Sequence, residues 1–267
     1  MPLPETQPAP PEQAAAFAKS LARSESSHLT LVADMAGTLL VERLYPGRMQ
    51  GWEPFATPEE ALGLVDISNR HRALLGEPPP EGGEALTMLP TEWGVVEASG
   101  GQGYQLRGLA PYVTGKRVSS HELWSGQSKA APEDGDLPAI FTFARAHLRY
   151  IERVMKDELR ECLGGILPRQ LLLTPNGPVY VDGDPHIEPT IFGGGPARYL
   201  SAGTGWITHG NLKRHKDGLV LKERARELER QWSERGRKLG SIPDYTKDEQ
   251  GESNTPRYYN IGEWLNR

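Results

Sequence analysis

The chain holds a single cysteine, Cys162, in 267 residues. That excludes an intramolecular disulfide and any cysteine-rich zinc site, and makes a reducing compartment the simplest setting. Long apolar runs are missing as well. Nothing approaches the roughly 18 consecutive apolar residues of a membrane span, and the first residues lack a basic stretch followed by an apolar one. A cytoplasmic protein with no membrane contact is the expectation. Positive charge is also not in surplus: 30 Lys and Arg face 35 Asp and Glu, for a formal charge of −5. This argues against bulk attraction to nucleic acid or anionic lipid, so nucleic-acid binding is not the favoured reading.

What is abundant is glycine and proline, 30 and 23 residues, which implies many turns between short elements. Residues 1–13 (MPLPETQPAPPEQ) are too polar and proline-rich to pack and read as a disordered tail before a short helix over Ala14–Arg23. Two β-rich runs, His28–Ala33 and Thr38–Leu44, flank Asp34-Met-Ala-Gly37, the pattern of a hairpin. Thr57-Pro-Glu-Glu60 has the cap, proline and acidic residues of a helix start, and that helix should run to about Leu75. Short strands should follow at Ala85–Leu89, Gly94–Ala98 and Tyr104–Leu109. Beyond a polar loop, apolar residues Phe141, Ala144, Leu148, Ile151, Met155, Leu159 and Cys162 step by three and four, predicting one long helix over Leu137–Leu163. Gln170–Thr174 and Val179–Asp182 flank Pro175-Asn-Gly-Pro178, a second hairpin. A last amphipathic helix over about Leu219–Lys238 buries Leu221, Ala225, Leu228 and Trp232.

This order, with Leu163-Gly-Gly-Ile-Leu-Pro-Arg-Gln170 followed by LLLTPNGPVYVDGD, resembles the protein-kinase superfamily, including its aminoglycoside-phosphotransferase-like branch. The stretch looks like a catalytic loop H-R-D-L-K-P-x-N, a hairpin and the metal-binding D-F-G. The resemblance implies an α+β, two-lobed protein-kinase-like fold. A β-rich N-lobe with one helix would span residues 14–111, a mainly helical C-lobe 112–240, and a tail 241–267. In this register the family's His falls on Leu163, its catalytic Asp on Gly165 and its metal-binding Asn on Gln170. The metal-binding Asp corresponds to Asp182, with Asp184 as the alternative. Leu40-Val-Glu-Arg-Leu44 looks like the V-A-I-K-x-L strand, with Glu42 in place of the phosphate-binding lysine. No glycine-rich loop precedes it.

Phosphoryl transfer depends on positioning and charge neutralisation by a lysine, metal ions and a hydroxyl-orienting Asp. With several of these groups replaced, the resemblance implies a pseudokinase-like regulatory or scaffold protein rather than an enzyme. It would have no catalytic residues and require no cofactor, with ATP and Mg²⁺ at most held weakly through Asp182, Asp184, Gln170 and Glu42, and with a protein partner. Two alternatives stand beside it. Asp182, Asp184, His186 and Glu188 alternate on one strand and could contribute to a metal-dependent transferase or nuclease. The basic segment Lys213-Arg-His-Lys216 and the arginine-rich last helix could serve a non-enzymatic protein or nucleic-acid interaction module. Finally, Asp34-Met-Ala-Gly-Thr38 resembles the D-x-D-G-T motif of haloacid-dehalogenase-type phosphatases, with Ala36 where its second Asp should be.

Overall fold

The structure, a computed structural model, describes residues 3–21, 29–47, 53–80, 82, 84–118, 133–157, 159, 161–164, 166, 168–189, 206–207 and 211–238. It is a mixed α+β arrangement. Strands β1 (Thr6–Pro8), β2 (Leu29–Asp34), β3 (Leu39–Tyr45), β5 (Glu92–Glu97) and β6 (Tyr104–Pro111) form an antiparallel sheet in the order β1-β2-β3-β6-β5. A second sheet joins β4 (Thr87–Met88), β10 (Gly177–Tyr180), β9 (Leu171–Thr174) and β7 (Lys116–Arg117), in that order. Its β4–β10 pair is parallel. A short ladder pairs β8 (Glu161–Leu163) with β11 (Ile187–Pro189). The helices are α1 (Pro11–Leu21), α2 (Pro58–Gly76), α3 (Leu137–Lys156) and α4 (Lys216–Lys238).

Both hairpins form where turn chemistry placed them. The Asp34 carboxylate accepts the N–H groups of Ala36 at 2.9 Å and Thr38 at 2.8 Å, an Asx turn that closes β2 onto β3. Gly37 completes it with φ +86, a conformation that costs a side-chain-bearing residue energy. These bonds hold the Asp34 carboxyl below its usual range, the Thr38 amide contributing most. Asp34 is thereby engaged as a turn acceptor, which accounts for its place in the sequence without a phosphatase role.

Helix α2 begins as expected. The Thr57 hydroxyl accepts the Glu60 N–H at 3.2 Å, and the Glu60 carboxylate accepts the Ala56 N–H at 3.1 Å, so two otherwise orphaned amides are satisfied. Thr57→Ala should lower the unfolding free energy by about 1 kcal/mol, while Thr57→Ser should lower it by a few tenths at most. Chemical denaturation of the two variants checks this; equal losses would place the effect in packing rather than in the cap.

Helix α3 carries the main core. Phe141, Phe143, Ala144, Leu148, Ile151, Val154 and Met155 are buried on it. The Phe143 ring is fully buried, stacked 5.5 Å from Trp206, 5.8 Å from Tyr180 and 6.3 Å from His147. Helix α4 closes this core with Leu221, Ala225, Leu228 and Trp232, the face its periodicity marked out.

Two expectations are corrected. The long helix stops at Lys156 rather than Leu163. The Asp157 N–H folds back onto the Arg153 and Met155 carbonyls, and Cys162 then reaches the core from β8, paired with Glu188 across the ladder. Continued three–four spacing beyond Met155 therefore reflects a strand that is also buried. Residues 3–13 of the expected tail are not unpacked. Thr6, Gln7 and Pro8 pair with Asp34, Ala33 and Val32, Pro8 being tolerated on a sheet edge. Ala9 and Phe17 pack on Leu31 and Val41. The tail expected over 241–267 and residues 119–132, in the polar stretch before α3, lie outside the described residues. No helix among the described residues is long and apolar enough to cross a membrane.

Candidate functional site

Strand β3 alternates its side chains, and the two charged residues at its centre go to opposite faces. Val41, Arg43 and Tyr45 are buried, whereas Glu42 is half-buried and Leu44 exposed. Glu42 pairs with Arg107 of β6, Nε to Oε1 at 2.5 Å, and the same guanidinium donates to the Thr6 hydroxyl of β1. Glu42 thus joins three strands of the first sheet rather than facing Asp182, which corrects its assignment to a phosphate-facing position.

Arg43 faces the carboxylates instead. Its Nη1 lies 3.3 Å from Asp184 Oδ1 and 3.8 Å from Asp182 Oδ1, and its Nη2 donates to the Val181 carbonyl. The side chain is 7% exposed. The carboxylates sit just after β10, where the hairpin's outgoing strand delivers them to the first sheet. Asp182 Oδ1 accepts the Asp184 N–H at 3.1 Å, and its Oδ2 accepts the Gln170 side-chain amide. The Gln170 oxygen in turn accepts the Tyr180 hydroxyl at 3.1 Å. Burial, then the neighbouring Asp184 charge, push the Asp182 carboxyl above its usual range, and Arg43, the Asp184 amide and Arg72 pull it back. Arg72 from α2 is itself buried and donates to the Leu89 carbonyl at 2.7 Å.

Gly183 between the two aspartates has a steric reason: a Cβ there would lie 2.3 Å from the Thr91 hydroxyl and 3.4 Å from Arg43 Nε. Those two atoms, Thr91 Oγ1 and Arg43 Nε, are buried and have no hydrogen-bond partner among the described residues. Two polar groups converging without partners beside a carboxylate pair are the uncommon feature of this site.

The structure brings Asp182, Asp184 and Gln170 together and sets beside them Arg43, Thr91 and Arg72, which the sequence does not single out. Arg43 was legible only through strand parity. Leu40-Val-Glu-Arg-Leu-Tyr45 carries apolar residues at both odd and even positions, so its alternation does not choose a face. Thr91 had no sequence signal.

The other candidates fare differently. The His186 ring lies over Gly164, where a Cβ would stand 2.4 Å from its Nε2, and the His186 carbonyl accepts the Gly164 N–H at 2.9 Å. Glu188 is placed on β11, and its side chain lies outside the described residues, as do Gly165 and the side chain of Lys213. Among the described residues, no three His, Cys, Asp or Glu side chains gather where an ion could be held.

The donor set bears on Mg²⁺. Two carboxylates are hard oxygen ligands of the right kind. As placed, however, both face the Arg43 guanidinium, and both oxygens of Asp182 already accept hydrogen bonds. The residues present do not fit a bridging divalent ion.

No family model matches this chain, and no curated protein does. Among solved structures, it is similar to an aminoglycoside phosphotransferase from Alicyclobacillus acidocaldarius at a TM-score of 0.34 and 11% identity, over 87% of this chain and 83% of that one. This is a distant backbone likeness to a protein of that kind, and a likeness of that degree carries no conclusion about the chemistry of Asp182 and its neighbours.

Proposed function

We propose that the chain is a catalytically inactive, two-lobed kinase-like protein of the cytoplasm, regulatory or scaffolding in role, that binds a nucleotide at the Asp182–Asp184 site and a protein partner elsewhere. The observation that supports the binding half is the buried Arg43 set against the half-buried Asp182, Asp184 and Gln170, with Arg43 Nε and Thr91 Oγ1 beside it lacking a partner among the described residues. Sinking charges into a fold is costly, and apolar side chains would hold two sheets together as well or better. A carboxyl that burial holds above its usual range, as it does Asp182, beside a fixed cation is a candidate for a binding role. The two unused donors suit an oxyanion such as a phosphate oxygen.

The support for inactivity is chemical. A phosphoryl-transfer site needs a group that orients or deprotonates the attacking hydroxyl, and the residues in register with the family's His and Asp are Leu163 and Gly165, neither of which can do so.

Thermal denaturation with ATP tests the reading. At ATP about tenfold above its Kd, binding should raise Tm by about 3–5 °C. Thr91→Val should abolish most of the shift, and no γ-phosphoryl transfer or hydrolysis above background should accompany binding. A turnover at ordinary kinase rates that vanished in Asp182→Ala would overturn the inactive assignment; no shift with ATP or ADP would overturn the nucleotide assignment.

A further inference from the structure

We propose that Arg43 is the resident counter-cation of Asp182 and Asp184, standing where a divalent ion would otherwise bridge them, so that a phosphate-bearing ligand enters this site without a metal. The inference rests on the nucleotide reading for what the site binds, and stands apart from it in what neutralises the carboxylates.

Three observations carry it. The first is distance: one nitrogen, Arg43 Nη1, lies within 3.8 Å of both carboxylates, with Oδ1 of each turned toward it. A single positive group placed between two carboxylates is the charge arrangement that a bridging cation would supply. The second is that the guanidinium is fixed in place. Arg43 Nη2 donates to the Val181 carbonyl, the side chain is nine-tenths buried, and β3 is paired on both sides, to β2 and β6. Removing it from the pair would cost that carbonyl bond as well. The third is that Arg43 retains an unused donor. Its Nε is buried without a partner among the described residues, close to where a Gly183 Cβ would stand and where the Thr91 hydroxyl also converges. A metal ion has coordination positions with which to accept a phosphate oxygen. Arg43 offers the equivalent in a directed N–H, with the planar fork that makes arginine suited to oxyanions. Two carboxylates and Arg43 sum to a charge of −1, and Arg72, whose charge Asp182 also feels, brings the local sum to zero. The cluster therefore does not depend on an external cation for neutrality.

The experiment uses Mn²⁺ as the probe, followed by its electron paramagnetic resonance signal and by thermal denaturation, on the wild type, Arg43→Gln, Arg43→Gln/Asp184→Asn and Asp184→Asn. The wild type should bind no Mn²⁺ that Asp184→Asn removes. Arg43→Gln should gain one Mn²⁺, bound at least about tenfold more tightly than by the wild type, and Asp184→Asn in that background should remove it. Separately, the ATP shift of the wild type should be the same in EDTA as with Mg²⁺. Asp184-dependent Mn²⁺ binding by the wild type would overturn the inference, and this arm holds even if Arg43→Gln fails to fold. So would a folded Arg43→Gln that gains no Mn²⁺, or an ATP shift that EDTA abolishes. Failure of the nucleotide reading looks different: no ATP shift under any condition, with the Mn²⁺ results unchanged.

Discussion

Arg43→Met should lower the unfolding free energy by about 2–3 kcal/mol at pH 7, because it leaves two partly buried carboxylates with Arg72 alone to offset them. Methionine fills much of the same space, so little of the loss comes from a cavity. The coupling is what distinguishes this from lost packing. In the double variant Arg43→Met/Asp184→Asn one of the two stranded charges is gone, and the double variant should be more stable than the sum of the single losses by about 1–3 kcal/mol. The Glu42–Arg107 pair one residue away provides the internal control. Its side chains are 21% and 24% exposed, so solvent screens part of the attraction, and Glu42→Gln should cost only about 1 kcal/mol or less. Urea denaturation of these variants reads both effects. If Arg43→Met lost no more than Glu42→Gln, the Arg43 cluster would be behaving as an exposed ion pair, and the counter-cation role would have no energetic footing.

The contrast between those two neighbours also shows where the sequence was informative. Turn and cap chemistry is local, so the Asp34–Gly37 hairpin, the Thr57 cap and the hairpin around Pro175-Asn176 could be read within a few residues, and each is found in the structure. The buried face of α4 was equally legible, since Leu221, Ala225, Leu228 and Trp232 repeat at helical spacing with charges between them. Legibility failed where the deciding partner was far away. Asp157 ends α3 because the following residues pair with β11, some 25 positions later in the chain, and no local residue announces it. Thr6–Pro8 joins a sheet because β2 has an open edge, which the polar composition of the tail does not reveal. At the site, Asp182, Asp184 and Gln170 lie within 15 residues and arrive on one hairpin, so their association was visible. Their contact to Arg43 spans 141 positions and required knowing which face of β3 turns inward.

His147 is the second place where a buried ionisable group should dominate the stability. It lies on α3, 4% exposed, with its ring stacked on Phe143 and its Nδ1 buried without a hydrogen-bond partner among the described residues. Burial alone pushes its pKa down to about 4, because the imidazolium would have to form away from water with nothing to stabilise it. An unfolded chain protonates this histidine near its ordinary value of about 6.5. Between those two values the unfolded state binds the extra proton and the folded state does not, so acid draws the equilibrium toward unfolding. The stability contributed by a neutral His147 is therefore complete above about pH 6.5 and is lost progressively as pH falls toward 4, by on the order of 3 kcal/mol in total. His147→Leu removes the titrating group and the partnerless nitrogen together while keeping an apolar side chain against Phe143. At pH 7 it should be close to neutral or slightly stabilising. By pH 4.5 it should be more stable than the wild type by about 2–3 kcal/mol. Urea midpoints measured at several pH values from 7 down to 4.5 decide the matter: diverging curves are expected, and parallel ones would mean that the imidazole reaches water, or finds a partner, before it takes up its proton.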